Sequence, residues 1–297
     1  MPNRDSLGDR MKGYENAFRH YLPRRMPVII RIDGKAFHTY TKGFHKPFDS
    51  ILMKVMQETA YDLCKKIEGV KLAYVQSDEI SLLLTNDDTL ETEPWFGNNL
   101  QKLCSIAAST ATLAFHKAMQ QCIYDFTYSF SIGTREETYA FLEKEYGYSK
   151  EFMQSEEWGW YFHRIQTSHC NGAVFDARAF VLPKEEVTNY FWWRQLDASR
   201  NSIQMVAQSY FSHKELQGLK CNELQNKLLI EKNINWNDYP SKCRRGSCIV
   251  KKEVLVPINI NNSEDKVTRK KWFIDDDIPL FNLDKDYIEN LLFKEKN

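Results

Sequence analysis

The feature that most constrains the fold is a pair of short apolar segments separated by only three polar residues. Residues 72–76 (LAYVQ) and 80–84 (ISLLL) flank Ser77, Asp78 and Glu79. Two segments of this length with so short a connection are typical of a β-hairpin. The hairpin places two carboxylates at its tip.

A further strand is predicted before this hairpin. Residues 28–32 (VIIRI) are β-branched and almost continuously apolar, as expected of a strand in the middle of a sheet, and they end at Asp33 and Gly34. The pattern that follows predicts a helix that returns the chain to the sheet. Its apolar residues recur at helical spacing until Gly69 and are Phe48, Leu52, Val55, Met56, Leu63 and Ile67.

The downstream segments predict more helices and another strand. A stripe of small residues at helical spacing runs through residues 97–119 and consists of Leu100, Leu103, Ala107, Ala111, Ala114 and Ala118. Residues 173–182 predict a strand that ends at Pro183, and helices are predicted around 185–211 and 222–232. The polar residues 259–271 predict a loop or small hairpin connection. Together these elements predict an α+β domain with helices on one face of a mixed sheet.

Composition limits the class of protein. The chain has 297 residues, 42% of them hydrophobic and 13% aromatic, which is enough for a sizeable core in one large domain or two closely joined ones. Lys and Arg number 40, as do Asp and Glu, so no overall field attracts nucleic acid and any RNA contact must come from local basic patches. The seven cysteines are scattered without a C-x-x-C pair, which argues against a disulfide scaffold and a structural zinc site.

The N-terminal residues carry no targeting signal that we recognise. They have neither an apolar signal core nor an Arg- and Ser-rich, acid-poor character, and no apolar run in the chain approaches membrane-spanning length. We therefore expect a soluble, cytoplasmic protein with no membrane partner, although import into an organelle stays open.

Two aspartates are candidates for chemistry. Asp33 ends a buried strand and Asp78 lies on a strand that should be its neighbour, and a buried acid is costly unless it is paired or binds a metal. Two-metal phosphoryl transfer uses carboxylates that bridge cations about 3.5–4 Å apart. Gly34 leaves room for its carbonyl to approach a metal, and Glu79 could bind the metal itself or hold one of its ligands. The spacing is equally compatible with an ordinary turn at Asp33 and an ordinary polar hairpin loop.

Five motifs resemble those of the tRNA-histidine guanylyltransferase superfamily. They are RIDGKAFH (31–38), KPFD (46–49), AYVQSDEISLLL (73–84), WRQLDASRNSI (193–203) and GLKCNELQNKLLIEKNINWNDYPSKCRRG (218–246), and they span nearly the whole chain. The resemblance implies a polymerase-palm-like mixed or antiparallel sheet with packed helices and a helical C-terminal part. Residues 1–150 would hold the first part of this palm-like catalytic unit, and 151–297 the remaining sheet elements, a helical tRNA-contacting region and a C-terminal extension of the same unit. It also implies two Mg²⁺ ions, ATP, GTP and other nucleoside triphosphates as substrates, tRNA as partner and a homotetramer.

The resemblance assigns roles by position. Asp33 and Asp78 match the metal-binding aspartates, Gly34 the metal-binding carbonyl, and Glu79 the third catalytic acid. Lys46 and Ser77 match positions associated with activation of the RNA 5′ end; without the motif they would be a solvated turn lysine and a hairpin hydroxyl. The nucleotide-binding segment matched by the first motif also includes Lys35, Ala36, Phe37 and His38.

Basic and polar residues farther along are candidates for RNA contact. The RNA-binding candidates are Lys102, Arg194, Arg200, Asn201, Lys242 and Arg245. A solvated surface run is the alternative for the basic residues, and a surface ion pair is the alternative for Arg194 with Asp197, which lie at helical spacing. The aromatic residues 158–162 (WGWYF) are interpreted as core or subunit interface.

One segment departs from the eukaryotic members of the superfamily. Residues 199–205 (SRNSIQM) stand where those enzymes carry an HINNLYN-like segment. The departure favours the branch that adds nucleotides to truncated tRNA 5′ ends in the 3′-to-5′ direction, directed by a template, after ATP or GTP activates a 5′-monophosphate. The alternative is a tRNA(His) guanylyltransferase that adds one 5′ guanosine. Two other classes remain open: a non-catalytic RNA-binding protein that retains the palm, and a cyclic-nucleotide synthase.

Overall fold

A single six-stranded antiparallel sheet forms the centre of the molecule. The computed structural model describes residues 6–257 and 266–293. The strands are β1 (Val28–Gly34), β2 (Val70–Gln76), β3 (Glu79–Leu84), β4 (Phe175–Val181), β5 (Ser247–Pro257) and β6 (Lys266–Asp275). Their order is β4-β1-β3-β2-β5-β6, and every neighbouring pair is antiparallel. The α+β prediction is therefore confirmed, and of the two sheet types expected, mixed or antiparallel, the sheet is antiparallel.

Twelve α-helices surround this sheet in the described ranges. They are α1 (Ser6–Asn16), α2 (Phe37–Tyr40), α3 (Ser50–Lys66), α4 (Leu100–Ile132), α5 (Arg135–Tyr146), α6 (Lys150–Met153), α7 (Glu156–Asn171), α8 (Lys184–Tyr210), α9 (His213–Leu216), α10 (Cys221–Lys232), α11 (Ser241–Arg245) and α12 (Asp286–Leu292). The predicted helices correspond to α3, α4, α8 and α10. None of the helices in the described part combines the length and the apolar character that spanning a membrane requires.

Helices cover both faces of the sheet, which corrects the expectation of one covered face. On one face, Ile30 and Ile32 of β1 pack with residues of α3 and α4. On the other face, Ile29 packs with residues of α8 and α12. The physical reason lies in β1, whose apolar residues point to both sides of the sheet and must be buried on both.

The region after α7 is not only helical. The C-terminal half of α8 packs with α10 in a third apolar cluster that includes Ile203, Val206 and Leu228. The chain then re-enters the sheet as β5 and β6, which pair along ten residue positions, from Cys248 with Asp275 to Pro257 with Lys266. Of the connection predicted at 259–271, residues 266–271 instead belong to strand β6, and residues 259–265 lie outside the described part of the chain.

The aromatic segment 158–162 supplies core residues. Trp158 and Tyr161 on α7 are buried among other aromatic side chains, as predicted, while Trp160 is 75% exposed. The Tyr161 hydroxyl donates a hydrogen bond of 2.7 Å to Asp49, whose side chain accepts from the backbone of Leu52 and caps the N-terminus of α3. This contact fixes α7 against the loop that precedes α3.

Candidate active site

The two candidate aspartates meet where the hairpin tip joins the end of β1. Asp33 lies opposite Glu79 in the register of β1 and β3, and the Gly34 N–H donates a 3.1 Å hydrogen bond to the Asp78 carbonyl. The hairpin turn contains only Ser77 and Asp78, and Ser77 adopts a left-handed conformation with φ of 51°. The tight turn holds the Asp78 backbone beside the end of β1.

Gly34 is required by packing at this point. A Cβ atom there would collide with the ring of Phe37, which is buried with Tyr40, Phe115 and Phe175. The Phe37 side chain is thus part of the core. This corrects its predicted role in nucleotide binding, because only the backbone of Phe37 is left to contact a nucleotide. Lys35, Ala36 and His38 in the same segment are exposed.

The carboxylates of Asp33 and Asp78 are held at an electrostatic cost. Burial raises the pKa of Asp33, the charge of Asp176 raises it further, and Arg178 and Arg31 oppose the shift. Burial also raises the pKa of Asp78, with Asp33 contributing, while hydrogen bonds from its own backbone and from Ser77 oppose the shift. Within the described ranges no Lys, Arg or His side chain pairs with either carboxylate at ion-pair distance.

This donor set fits Mg²⁺. Among residues 6–257 and 266–293, no group of three or more His, Cys, Asp or Glu side chains is arranged to hold a metal ion. The carboxylates of Asp33 and Asp78 remain, together with the nearby Gly34 carbonyl. Mg²⁺ commonly uses one or two carboxylates and takes its other ligands from water and substrate phosphates. A bound cation would also relieve the repulsion between two desolvated acids.

Glu79 is committed to a different partner. Both of its oxygens accept hydrogen bonds of 2.8 Å from Arg194 of α8, and each residue is only 6% exposed. Arg194 also donates to Asp197 at 2.8 Å. The surface-pair interpretation of Arg194 was therefore wrong. Its predicted contact with RNA is also corrected, because a guanidinium buried between two carboxylates has no free face for a phosphate.

Three residues that the sequence did not single out share the face of Asp33. The register places Asp176 of β4 beside Asp33, and Arg178 beside Arg31 one step farther along the strands. The buried Nε of Arg31 has no hydrogen-bond partner among the described atoms. Asp33 and Asp176 thus form an acidic row, and Arg31 and Arg178 form a basic row next to it. Only the pairing of β4 with β1, which are far apart in sequence, brings these residues together.

A cavity of ≈ 80 Å³ adjoins the hairpin turn. It lies between α3, β2, α8, α11 and β5, and its lining includes Ser77, Asn201 and Lys242. The structure thus brings together three candidate residues from distant parts of the sequence. Lys46 is exposed in the loop before α3 and lines a separate open groove with Trp160 and Arg164.

The remaining RNA-binding candidates are on the surface or near it. The Arg200 side chain is 54% exposed and donates to Asp197, and Lys242 pairs with Asp276 at 2.9 Å. Lys102 is exposed above the Phe96 ring. Arg245 has a buried Nε without a partner among the described atoms. These positions leave the phosphate contacts predicted for them untested.

The glycine after Arg245 is also set by the fold. Gly246 has φ of +82°, and a Cβ atom there would meet the Val75 carbonyl and the Tyr74 ring. The Tyr74 hydroxyl donates to the Arg245 carbonyl. The glycine therefore allows α11 to approach β2 closely, which places Lys242 beside the cavity.

Comparison with known proteins identifies the chain. Residues 8–183, more than half of it, match the family model described as "Thg1: tRNAHis guanylyltransferase". The structures of a bacterial tRNA(His) guanylyltransferase (Thg1)-like protein in complex with ATP and in complex with GTP are 43% and 40% identical, with TM-scores of 0.73 and 0.71. They cover 97% of this chain and 99% and 100% of their own. The tRNA(His) guanylyltransferase of Saccharomyces cerevisiae is 26% identical over 78% of this chain and 86% of its own.

The fold and these matches define a nucleotide-binding transferase of tRNA processing, that is, a nucleotidyltransferase. Within that class, the chain belongs to the tRNA(His) guanylyltransferase (Thg1) family. The resemblance seen in the motifs is thereby confirmed.

Proposed function

We propose that this protein adds nucleotides to the 5′ end of tRNA, and that addition of guanosine to tRNA(His) is the activity best supported by its relatives. The observation that carries the proposal is a pair of partly buried carboxylates, Asp33 and Asp78, which have no ion-pair partner in the described ranges and are joined through the Gly34–Asp78 hydrogen bond at one end of the sheet. A pair of this kind suits phosphoryl transfer and has no evident purpose in a protein that only binds RNA.

Asp33, Asp78 and the Gly34 carbonyl would hold Mg²⁺, which when bound supplies charge neutralisation at phosphates and activation of a hydroxyl nucleophile. The residues of the chain otherwise position the reactants. Ser77 in the turn is assigned to a phosphate beside Asp78, to which it would donate in exchange for its hydrogen bond with the Asp78 carboxylate. The basic row of Arg31 and Arg178, one step from the acidic row, suits the negative charge of a triphosphate.

Activation and transfer are two separate reactions in this proposal. A 5′-monophosphate RNA first attacks the α-phosphate of ATP or GTP and releases pyrophosphate. The 3′-hydroxyl of an incoming nucleotide then attacks the RNA 5′ phosphate and releases AMP or GMP. A 5′-triphosphate RNA goes directly to the second reaction and releases pyrophosphate. Lys46, exposed at the open groove before α3, is assigned to the activation reaction.

A second candidate is template-directed repair of truncated tRNA 5′ ends. It is supported by the segment that begins with Ser199, Arg200 and Asn201, which lacks the histidine of the HINNLYN-like segment. In this candidate, base pairing across the acceptor stem positions the incoming nucleotide, and the protein contacts mainly shape and backbone.

One experiment separates the two candidates. A tRNA that lacks its first nucleotide is prepared with each of the four bases at the opposing position, and the added nucleotide is identified. Guanosine addition that ignores the opposing base and requires the histidine anticodon supports the guanylyltransferase. Addition that follows the opposing base on several tRNAs supports repair. No addition to any tRNA by a folded protein overturns both, and cyclisation of a nucleoside triphosphate would replace them.

The homotetramer and the cytoplasmic location expected from the sequence are part of this proposal. Light scattering of the purified protein tests the first, since the predicted mass is four times the 35.1 kDa chain. Microscopy of the tagged protein in its own cell tests the second.

A further inference from the structure

Arg194 occupies a position that the predicted RNA contact does not explain. Its Nε and Nη2 atoms donate to the two oxygens of Glu79, and the residues are 115 positions apart in sequence. Glu79 is the first residue of β3 and directly follows Asp78. The guanidinium of α8 therefore holds the residue next to a candidate metal ligand.

Helix α8 contacts strand β3 at two positions whose spacing is nearly the same on both elements. Tyr190, one helical turn before Arg194, hydrogen bonds through its hydroxyl to Ser81, at 2.8 Å. Residues four apart on a helix are about 6 Å apart along its axis. Residues two apart on a strand are separated by about 6.6 Å. The pairs Tyr190–Ser81 and Arg194–Glu79 thus fix how α8 lies along β3.

The same chain of contacts reaches the surface. Arg194 donates to Asp197, and Asp197 accepts a hydrogen bond of 2.6 Å from Arg200. The charges alternate from Glu79 to Arg200 and sum to zero. The side chains of Glu79 and Arg194 are 8% and 7% exposed, and exposure then rises to 24% for Asp197 and 54% for Arg200. We call these four residues the α8 charge ladder.

We propose that Arg194 is a positioning residue, which anchors Glu79 and thereby fixes the Asp78 turn relative to α8. Glu79 then serves as the anchor point of the turn and not as a metal ligand, because an approaching cation would meet the guanidinium that already holds both carboxylate oxygens. The inference rests on the proposed function and deepens it, since it separates the acids that hold metal from the acid that holds the turn.

Steady-state kinetics of Arg194→Gln test this role. A misplaced turn slows the chemical step, so kcat is expected to fall about 10- to 100-fold. The KM for RNA and the salt dependence of RNA binding are expected to stay unchanged. The matched control is Arg200→Gln at the exposed end of the ladder, which should raise KM and reduce the salt slope by about one phosphate contact while retaining kcat. The Arg200 pattern in the Arg194 variant would overturn the proposal.

Chemical rescue gives a second readout. Guanidinium ion added to an Arg194→Ala variant is expected to restore part of kcat, because it can refill the place between Glu79 and Asp197. Arg194→Lys keeps the charge but loses the paired donors, so its kcat is expected to stay below that of the wild-type protein. Absence of rescue by guanidinium in a folded Arg194→Ala protein would count against positioning through this contact.

Mn²⁺ binding, measured without substrate, tests the role of Glu79. If Glu79 is an anchor, Glu79→Gln, which keeps an oxygen that can accept from Arg194, costs less than about twofold in Mn²⁺ affinity, the usual scatter of independent effects. A larger loss, comparable to that of Asp78→Asn, would make Glu79 a ligand and overturn the inference. If the unaltered protein adds no nucleotide to any RNA, the proposed function fails, and this binding measurement still decides the inference.

Discussion

Asp33 and Asp78 carry a cost in the folded protein that a bound cation would remove. Their carboxylates are desolvated, and the charge of Asp33 contributes to the raised pKa of Asp78. Such positions persist where the chemistry requires them, since a neutral residue of similar shape would be cheaper for folding. Mutation of these residues to neutral ones is therefore expected to lower activity and to raise the stability of the metal-free protein.

Changing Asp33 or Asp78 to Asn is expected to reduce nucleotide addition at least about 100-fold, the order found when one group that stabilises transition-state charge is removed. Circular dichroism should show an unchanged fold, because neither side chain supplies core packing. Asp62→Asn, in an exposed pair with Lys66 on α3, is the control and should retain activity. A folded Asp33 or Asp78 variant with full activity would refute the assignment of the metal ligands.

The raised pKa of Asp33 also predicts a pH dependence. In the metal-free protein, the folded state binds the Asp33 proton more tightly than the unfolded state, so ionisation at neutral pH opposes folding. Asp33→Asn removes this penalty and is expected to be the more stable protein at pH 7. The difference should shrink as the pH falls through the raised pKa toward the ordinary value of 3.8. Chemical unfolding with a chelator present measures it, and a variant less stable at pH 7 would contradict the argument.

Lys46 predicts a difference between substrates. If it acts in activation, Lys46→Ala should reduce addition to 5′-monophosphate RNA at least about tenfold more than addition to 5′-triphosphate RNA, which skips that reaction. Lys42→Ala changes another exposed lysine of the same loop and should affect the two substrates equally. Equal losses on both RNAs for Lys46→Ala would remove it from the activation reaction.

Among the elements, α3 and α7 are joined by a buried polar contact. Asp49 accepts hydrogen bonds from the backbone of His45 and Leu52 and from the Tyr161 hydroxyl, which also contacts the Tyr148 hydroxyl. Burial raises the pKa of Asp49, and these hydrogen bonds oppose the shift. The contact orders the loop that carries Lys46.

Tyr161→Phe is expected to lower the free energy of unfolding by about 1–3 kcal/mol, because Asp49 loses one of its three hydrogen bonds and Tyr148 loses its hydroxyl partner. Urea denaturation measures the loss. Tyr128→Phe, which removes a hydroxyl from a tyrosine of α4 that is 47% exposed, is the control and should change stability by less than about 0.5 kcal/mol. Equal effects of the two substitutions would show that the buried contact contributes nothing specific.

At the scale of the whole molecule, a chain with no net charge must bind RNA through local arrangements of charge. The fold assembles one such arrangement beside the hairpin turn, where α8 and α11 bring Asn201 and Lys242 to the cavity that Ser77 also lines. These residues become neighbours only through the packing of helices on the sheet.

Lys242→Ala is expected to weaken tRNA binding for every sequence and to reduce the slope of log K against log salt by about 0.7–0.9, the value for one phosphate contact. Lys66→Ala is the matched control, since Lys66 also forms a surface ion pair with an aspartate and has similar exposure. Binding titrations over a range of salt concentrations measure both. An unchanged slope in the Lys242 variant would place this lysine outside the RNA interface.

The sequence by itself determined the local elements around the site. Strand β1, helix α3 and the β2–β3 hairpin follow from apolar periodicity and turn chemistry, which act between residues close in the chain. The placement of Asp33 at a strand end and Asp78 at a hairpin tip follows from the same signals. Helix α5 was missed although Thr134 caps it, because a cap alone does not outweigh a weak apolar pattern. Helix α7 was missed although Ser155 caps it and its buried residues Trp158, Tyr161 and Ile165 recur at helical spacing.

The tertiary structure decided the partners of these elements. Only the pairing of β4 with β1 puts Asp176 and Arg178 on the face of Asp33, and only the docking of α8 turns Arg194 from a surface or RNA-facing arginine into the anchor of Glu79. The antiparallel sheet and its two covered faces were settled in the same way. Strand order and burial depend on contacts between distant residues, and local propensity contains no information about which distant residue will supply the contact.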